Sequence, residues 1–117
     1  MDDLRQARCV PAREGEPPLA DDAVAALRAQ VPEWQLVEKD GLKRLSRTFR
    51  FKDFRQALDF TVRVGELAEE QDHHPEILLT WGRATVETWT HTVRGLHRND
   101  FVLAARTDAL YETSPHS

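Results

Sequence analysis

Apolar and polar positions in the first half of the chain predict a helix followed by a β-hairpin. Apolar residues recur at helical spacing between Val24 and Val31, and Pro32 ends that helix. Beyond it apolar and polar residues alternate, as they do in strands with one buried face. Asp40-Gly41 is a sequence typical of a two-residue hairpin turn between such strands.

From Asp53 to about Gln71 the apolar period becomes helical, which predicts a long second helix. We expect its packed face to carry these apolar or small residues: Phe54, Leu58, Thr61, Val62, Gly65 and Ala68. Other apolar residues lie off this stripe, so a second side of the helix is also a candidate for burial. Pro75 disfavours helical geometry at His74, which ends the helix by Asp72 or His73.

Residues 76–81 and 84–91 predict a second hairpin, joined through Gly82-Arg83. In its later strand small apolar residues alternate with Glu87, Trp89 and His91, so we expect the small residues to face the helices and the others to lie on an open sheet face. A last helix is predicted from about Arg98 to Glu112. The order αββαββα indicates an α+β fold, a four-stranded antiparallel sheet with helices packed on one face.

The two ends of the chain differ in character from the part between them. Residues 1–18 are charged, lack apolar periodicity and end in Gly-Glu-Pro-Pro, which predicts a flexible N-terminal arm. The 117 residues suffice for one core. We therefore expect a single domain over 19–113 and a C-terminal tail at 114–117.

Composition and charge narrow the possible functions. The net charge is −4 and basic residues are scattered, which argues against binding to nucleic acid or to an anionic membrane surface. The longest apolar runs, residues 23–27 and 101–105, are far shorter than a membrane span, and no signal peptide is recognisable. Cys9 is the only cysteine, so no intrachain disulfide forms and a cytoplasmic location is expected. We do not expect Cys9, in the flexible arm, to act as a nucleophile.

The strongest chemical signal is the pair His73-His74, with acidic residues at Glu69 and Asp72 and a further histidine at His91. Imidazole titrates near neutral pH, so it can both donate and accept protons. These residues indicate proton-transfer chemistry on a small molecule. A metal site is the main rival, but no HExxH motif or cysteine-bearing ligand set is present, and no metal is expected.

This spacing resembles that of the pterin-4a-carbinolamine dehydratase family. The family pattern is a charged residue, three residues, His-His-Pro, an aromatic, an isolated His and an Asp; here it reads Glu69, His73, His74, Pro75, Trp81, His91 and Asp100. The resemblance extends upstream through residues 49–54 and downstream through Gly95-Leu96, and covers roughly 20–112. It implies the same α+β architecture and a hydro-lyase activity.

The resemblance implies that the enzyme converts 4a-hydroxytetrahydrobiopterin to quinonoid dihydropterin and water. By position, His73 and His91 match the family's acid/base histidines, and His74 matches a histidine needed for binding and catalysis. No cofactor is implied, because the pterin is itself the substrate. The reaction recycles tetrahydropterin, which links the protein to an aromatic amino-acid hydroxylase.

The remaining matched positions have two interpretations each. Glu69, Asp72 and Asp100 match acidic positions near the pocket, where a carboxylate fixes the tautomer of an imidazole. Asp100 could equally be a first-turn helix charge, and Asp72 could simply end its helix. Trp81 matches an aromatic position that either packs against the pterin or buttresses the strand. Many family members also carry an aromatic where this chain has Ile77, which affects substrate affinity if that side chain shapes the pocket.

Three residues outside the pattern, and one other class of function, complete the interpretation. His97 and His116 are expected to be structural or solvated, and Trp89 is either an oligomer contact or a ligand wall.

Because some family members stabilise transcription-factor dimers or act as assembly factors, a non-catalytic dimerisation or assembly module is the alternative function. Retention of all three site histidines favours the enzyme. The resemblance also implies a homodimer or homotetramer.

Overall fold

A computed structural model describes residues 3–116 of the chain. Its main elements are α1 (Asp21–Arg28), β1 (Gln35–Lys39), β2 (Leu42–Arg50), α2 (Phe54–Gln71), β3 (Glu76–Thr80), β4 (Arg83–Thr88) and α3 (Arg98–Glu112). Short 3₁₀ turns occupy Leu4–Gln6 and His91–Val93. The predicted αββαββα order and α+β class are confirmed. Among the described residues, no helix is both long enough and apolar enough to cross a membrane.

The four strands form one antiparallel sheet in the order β1-β2-β4-β3. Phe49 of β2 lies opposite Ala84 of β4, and both are buried beneath the helices. Val86 and Thr88, at alternate positions along β4, are buried on the same face. The predicted small, helix-facing side of β4 is therefore confirmed, but the strand ends at Thr88, so Trp89 and His91 follow it and do not lie on its open face as predicted.

Both hairpins form, but the second turns one residue earlier than predicted. Asp40 and Gly41 have φ of 54° and 77°, as the predicted two-residue turn requires. In the second hairpin Thr80 pairs with Arg83, so the turn residues are Trp81 and Gly82. Gly82 takes the left-handed position, with φ of 69°. As a result, Trp81 lies at the tip of the hairpin, where its side chain is 71% exposed.

The face of α2 that packs on the core is not the predicted one. The buried apolar residues are Ala57, Phe60, Val64, Leu67 and Ala68, whereas Phe54 and Val62 are 42% and 53% exposed. The ring of Phe60 packs against Phe49 and Phe51 of the sheet, with centroids 4.8 and 5.1 Å apart. Because these aromatic contacts fix the rotation of the helix, only Ala68 of the predicted stripe is fully buried.

Arg47 is a charged residue between the buried Leu45 and Phe49 of β2, and it belongs to a polar cluster. The Arg47 guanidinium donates to the Asp108 carboxylate of α3 at 2.6 Å, and the buried Trp34 indole N–H donates to the same oxygen at 2.8 Å. Burial raises the pKa of the Asp108 carboxyl, while the bonds from Trp34 and Arg47 act in the opposite direction. The cluster joins α3 to β2 at the end of α3 farther from its N-terminus.

Between residues 3 and 18 the chain contacts the domain at several points, whereas the sequence predicts a flexible arm at 1–18. Leu4 is completely buried in the core, and its N–H donates to the side chain of Gln30 at 3.0 Å. Arg106 of α3 donates to the carbonyl of Ala7 at 2.7 Å. One apolar anchor and backbone hydrogen bonds leave no periodic signal in the sequence. Residues 1, 2 and 117 lie outside the described residues, and the division at 19 and 113 stays a prediction.

Candidate active site

His73, His74 and His91 line one open cleft of about 400 Å³. The cleft lies where the end of α2, the turn after β4 and the N-terminal segment meet. Asp72 and Trp89 also line it, as do Thr90 and Thr92 on either side of His91. The structure therefore brings these three imidazoles to one cavity, although they lie up to 18 positions apart along the chain.

The end of α2 places the histidine pair at the edge of the cleft. Asp72 adopts the left-handed conformation, with φ of 52°, and its N–H returns to the carbonyls of Ala68 and Glu69. The N–H of His73 also bonds to the Ala68 carbonyl, at 3.1 Å. This is a helix C-cap, and the chain leaves it directly toward β3 because Pro75 cannot continue the helix.

Asp100 is completely buried and accepts four hydrogen bonds. Its Oδ1 accepts from His73 Nε2 and from the Thr88 hydroxyl, each at 2.7 Å. Its Oδ2 accepts from the Thr90 hydroxyl at 2.8 Å and from the His97 N–H at 2.9 Å. Since a carboxylate only accepts, His73 carries a proton on Nε2, which leaves Nδ1 as the nitrogen that can accept or deliver another.

Asp100 both binds a site histidine and lies in the first turn of α3, so the two interpretations offered by the sequence hold together. His97 is the N-cap residue of this helix, and its Nδ1 accepts from the Asn99 N–H at 3.0 Å. Asp100 returns the bond to the His97 N–H, which completes a capping box. His97 is thus structural, as expected, and the ring of His116 stacks on Tyr111 at 4.0 Å.

The other two site histidines are exposed to solvent. His74 Nε2 lies 2.5 Å from Oε2 of Glu69, which is in the last turn of α2. His91 begins the 3₁₀ turn that follows β4. This turn ends at Arg94, which is in the left-handed conformation. A hydrogen bond of 2.8 Å from the Thr90 N–H to the Gly95 carbonyl closes it. Glu69 and Asp100 therefore each contact a histidine, and Asp72 lines the cleft itself.

The aromatic side of the cleft is Trp89, and Trp81 is not brought to it. Trp81 lies at the tip of the second hairpin and is absent from the cleft lining within the described chain. Trp89 lines the cleft, and the Arg44 guanidinium lies 3.8 Å from the centre of its ring. Ile77 packs against the hydrophobic core, so the departure from the family pattern at that position does not shape the cleft.

Sequence reasoning missed the wall formed by residues 9–12 and the two amides that hold it, Gln71 and Asn99. Their only signal was polarity at buried helix positions, since Gln71 continues the buried stripe of α2. Burial raises the pKa of the Cys9 thiol to about 11, so it is a neutral thiol at pH 7 and a poor nucleophile.

No three or more His, Cys, Asp or Glu residues between positions 3 and 116 are grouped so that they could hold a metal ion. The expectation that the protein uses neither a metal nor a cofactor stays a prediction.

Known proteins resemble this chain over most of its length. The family model described as pterin 4 alpha carbinolamine dehydratase matches residues 17–110. A protein of Chlorobium limicola is 54% identical over 112 residues, 96% of this chain and 99% of its own. One of Syntrophotalea carbinolica is 50% identical and covers 96% of this chain and 100% of its own. Both carry the provisional name of pterin-4-alpha-carbinolamine dehydratase.

Two solved structures share the fold. A transcriptional coactivator/pterin dehydratase from Brucella melitensis superposes with a TM-score of 0.74 at 31% identity, over 80% of this chain and 98% of its own. A pterin dehydratase-like protein identified as a RuBisCO assembly factor in the alpha-carboxysome gives a TM-score of 0.58 at 25% identity, over 68% of this chain and 89% of its own. The same architecture therefore occurs in proteins described by different roles.

Proposed function

Because this chain belongs to the pterin 4 alpha carbinolamine dehydratase family, we propose that it dehydrates 4a-hydroxytetrahydrobiopterin by histidine acid/base catalysis. The observation that carries the proposal is the meeting of His73, His74 and His91 on one cleft, with His73 oriented by a buried carboxylate. The product is quinonoid dihydropterin, which reduction returns to tetrahydropterin. This role belongs beside a pterin-dependent aromatic amino-acid hydroxylase, in the cytoplasm.

The chemistry requires one proton donor and one proton acceptor. The C4a–O bond breaks while the departing oxygen takes a proton and leaves as water, and N5 loses its proton as its lone pair forms the C4a–N5 double bond. His73, with a proton held on Nε2 by Asp100, offers Nδ1 as the acceptor. His91 is the donor in this scheme, since its exposed ring regains a proton from water. Positioned acids and bases of this kind typically contribute about 10²–10⁴ in rate.

His74 and Glu69 have a separate part in the proposal. Their exposed pair lies at the rim of the cleft, where an imidazole held by a carboxylate can hydrogen-bond a polar edge of the heterocycle. We assign this pair to substrate binding, and Asp72 beside it to the same polar edge.

The wild-type protein is expected to accelerate formation of quinonoid dihydropterin when the carbinolamine is generated by a pterin-dependent hydroxylase. His91→Ala is expected to lower turnover roughly tenfold or more, because it removes the proton donor. Its circular dichroism should be unchanged, since His91 is exposed. The measurement is the absorbance of the quinonoid product with and without protein.

His116→Ala is the matched control, because that imidazole stacks on Tyr111 and does not line the cleft. It should turn over like the wild type. If the wild-type protein gives no acceleration, the enzymatic proposal is wrong. If His91→Ala retains wild-type turnover, His91 has been assigned the wrong role.

The alternative is a non-catalytic dimerisation or assembly module of the same fold. The carboxysomal neighbour supports it, because that protein is described as an assembly factor. The retained histidines and their cleft support the enzyme instead. The same assay separates the two, since a module of this kind leaves the spontaneous rate of dehydration unchanged.

Self-association is the remaining part of the proposal. The face of α2 turned away from the core exposes Phe54 and Val62, with Leu58 partly buried between them. An apolar helix stripe of this kind is typical of an interface. We expect light scattering at micromolar concentration to give the mass of a dimer or tetramer, and Val62→Asp to lower that mass. A monomeric wild type would contradict this expectation.

A further inference from the structure

We infer that residues 9–12 form a fixed wall of the substrate site and that Asn99 and Gln71 are the positioning residues that hold it. The inference rests on the proposed function, because it assigns a binding role within the same cleft. These four residues line the cleft beside the histidines. They also precede residue 17, where the match to the family model begins.

The side chain of Asn99 pairs with the backbone of one arm residue. Its Oδ1 accepts from the Val10 N–H at 2.9 Å, and its Nδ2 donates to the Val10 carbonyl at 2.5 Å. Gln71 continues the pattern, because its Oε1 accepts from the Cys9 N–H at 2.9 Å. Both amide residues are buried, so these bonds are shielded from water on the side of the domain, while Val10 on the other side is exposed. Two successive residues of the arm are thereby held against the domain by side chains.

Attachment of the arm as a whole does not require these amides. Before the wall, Leu4 is anchored in the core and Arg106 binds the Ala7 carbonyl. After it, the Leu19 N–H bonds to the Leu96 carbonyl at 2.9 Å. The amides act on the segment between these anchors, which is the part that faces the cleft. Their role is therefore to set the position of the wall.

The amides also tie the wall to the catalytic imidazole. Asn99 directly precedes Asp100, the carboxylate that binds His73, and Gln71 lies two residues before His73 on the end of α2. The first turn of α3 and the last turn of α2 thus determine the positions of both the His73 imidazole and the wall. The distance between the two sides of the cleft is fixed by the same pair of helix ends.

The wall supplies apolar surface to a cleft whose histidines are polar. Val10, Pro11 and Ala12 carry only hydrocarbon side chains, and Val10 and Pro11 are exposed toward solvent. A flat heterocycle bound among the imidazoles would cover them. Contacts of this kind form equally with the substrate and the transition state, so losing them raises KM and leaves kcat unchanged.

Asn99→Ala removes both bonds to Val10 and keeps the backbone N–H that caps α3. We expect it to raise the KM for the carbinolamine and the Kd for 7,8-dihydrobiopterin about fivefold or more, with kcat within about twofold of wild type. Val10→Ser, which keeps the backbone bonds and makes the wall polar, should raise both constants in the same direction. Arg5→Ala is the control, because it removes an arm contact to Glu112 outside the cleft lining. It should leave both constants unchanged.

A second measurement follows the bonds of Asn99 and Gln71 to the wall in the absence of substrate. Hydrogen exchange of the Val10 amide should be slow in the wild type and about tenfold faster in Asn99→Ala. Gln71→Ala gives the same test at the Cys9 amide if Asn99→Ala does not fold. Fast exchange at both amides in the wild type would overturn the inference.

The kinetic outcomes separate this inference from the function on which it rests. If the wild type accelerates dehydration but Asn99→Ala and Val10→Ser keep its KM and Kd, the wall is not part of the site, and the dehydratase proposal stands. If Asn99→Ala lowers kcat and leaves KM unchanged, Asn99 acts through Asp100 and the inference is again wrong. If the wild type neither binds dihydrobiopterin nor accelerates dehydration, both fail.

Discussion

Asp100→Ala is expected to lower the free energy of unfolding by about 4 kcal/mol and to lower kcat about 100-fold. The substitution leaves His73 Nε2, the hydroxyls of Thr88 and Thr90 and the His97 N–H without their shared acceptor. The fold loses the carboxylate that joins the start of α3 to the end of β4. The site loses the group that orients His73. Urea denaturation followed by circular dichroism measures the first effect, and the dehydration assay measures the second.

Asp100→Asn preserves the shape of the side chain but places an N–H₂ group against hydrogen-bond donors. It should therefore lower the free energy of unfolding as well. Thr48→Val is the control for losing a threonine hydroxyl, because Thr48 is exposed and its hydroxyl bonds to the half-buried Thr85 hydroxyl. Its unfolding free energy should stay within about 0.5 kcal/mol of wild type. An Asp100→Ala protein whose free energy of unfolding is within about 1 kcal/mol of wild type would show that the buried carboxylate does not hold α3 to β4.

His73→Gln is expected to lower kcat about 100-fold or more while changing stability by less than about 1 kcal/mol. The amide nitrogen of glutamine reaches the position of the imidazole Nε2 and can still donate to Asp100 Oδ1. It has no nitrogen that can accept a proton near neutral pH. Steady-state kinetics and urea denaturation of the same preparation test the two halves of the prediction.

His73→Ala serves as the comparison, because it removes the proton acceptor and the bond to Asp100 together. It should match His73→Gln in turnover and be less stable than it. If His73→Gln turns over within about threefold of wild type, His73 is a structural partner of Asp100, and the proton acceptor must be sought at His74 or His91.

The order of elements and the sheet faces could be predicted because local signals determined them. Asp40-Gly41 specified its turn through backbone conformations that few other residues adopt. In β4 the alternation of small and large residues determined which side lies under the helices. The convergence of His73 and His91 followed from the family spacing, since nothing local shows that the turn after β4 returns to the end of α2.

The rotation of α2, the arm and Trp81 could not be predicted, for three physical reasons. The helix has two apolar sides, and contacts of Phe60 with distant sheet residues decide between them. The arm is held by Leu4 and by buried amides, which leave no periodic pattern. A shift of one residue in the second turn carried Trp81 to the hairpin tip, because Gly82 takes the left-handed position.

The unequal burial of the three imidazoles bears on how such a scaffold can evolve. His74 and His91 are exposed, so exchanging either should cost little stability, and on the proposed function it would remove activity while the domain still folds. The carboxylate beneath His73 is fastened to two secondary-structure elements, and selection for folding alone is enough to retain it. On the proposed function, a lineage that changes from catalysis to assembly should therefore lose His74 and His91 first and retain Asp100.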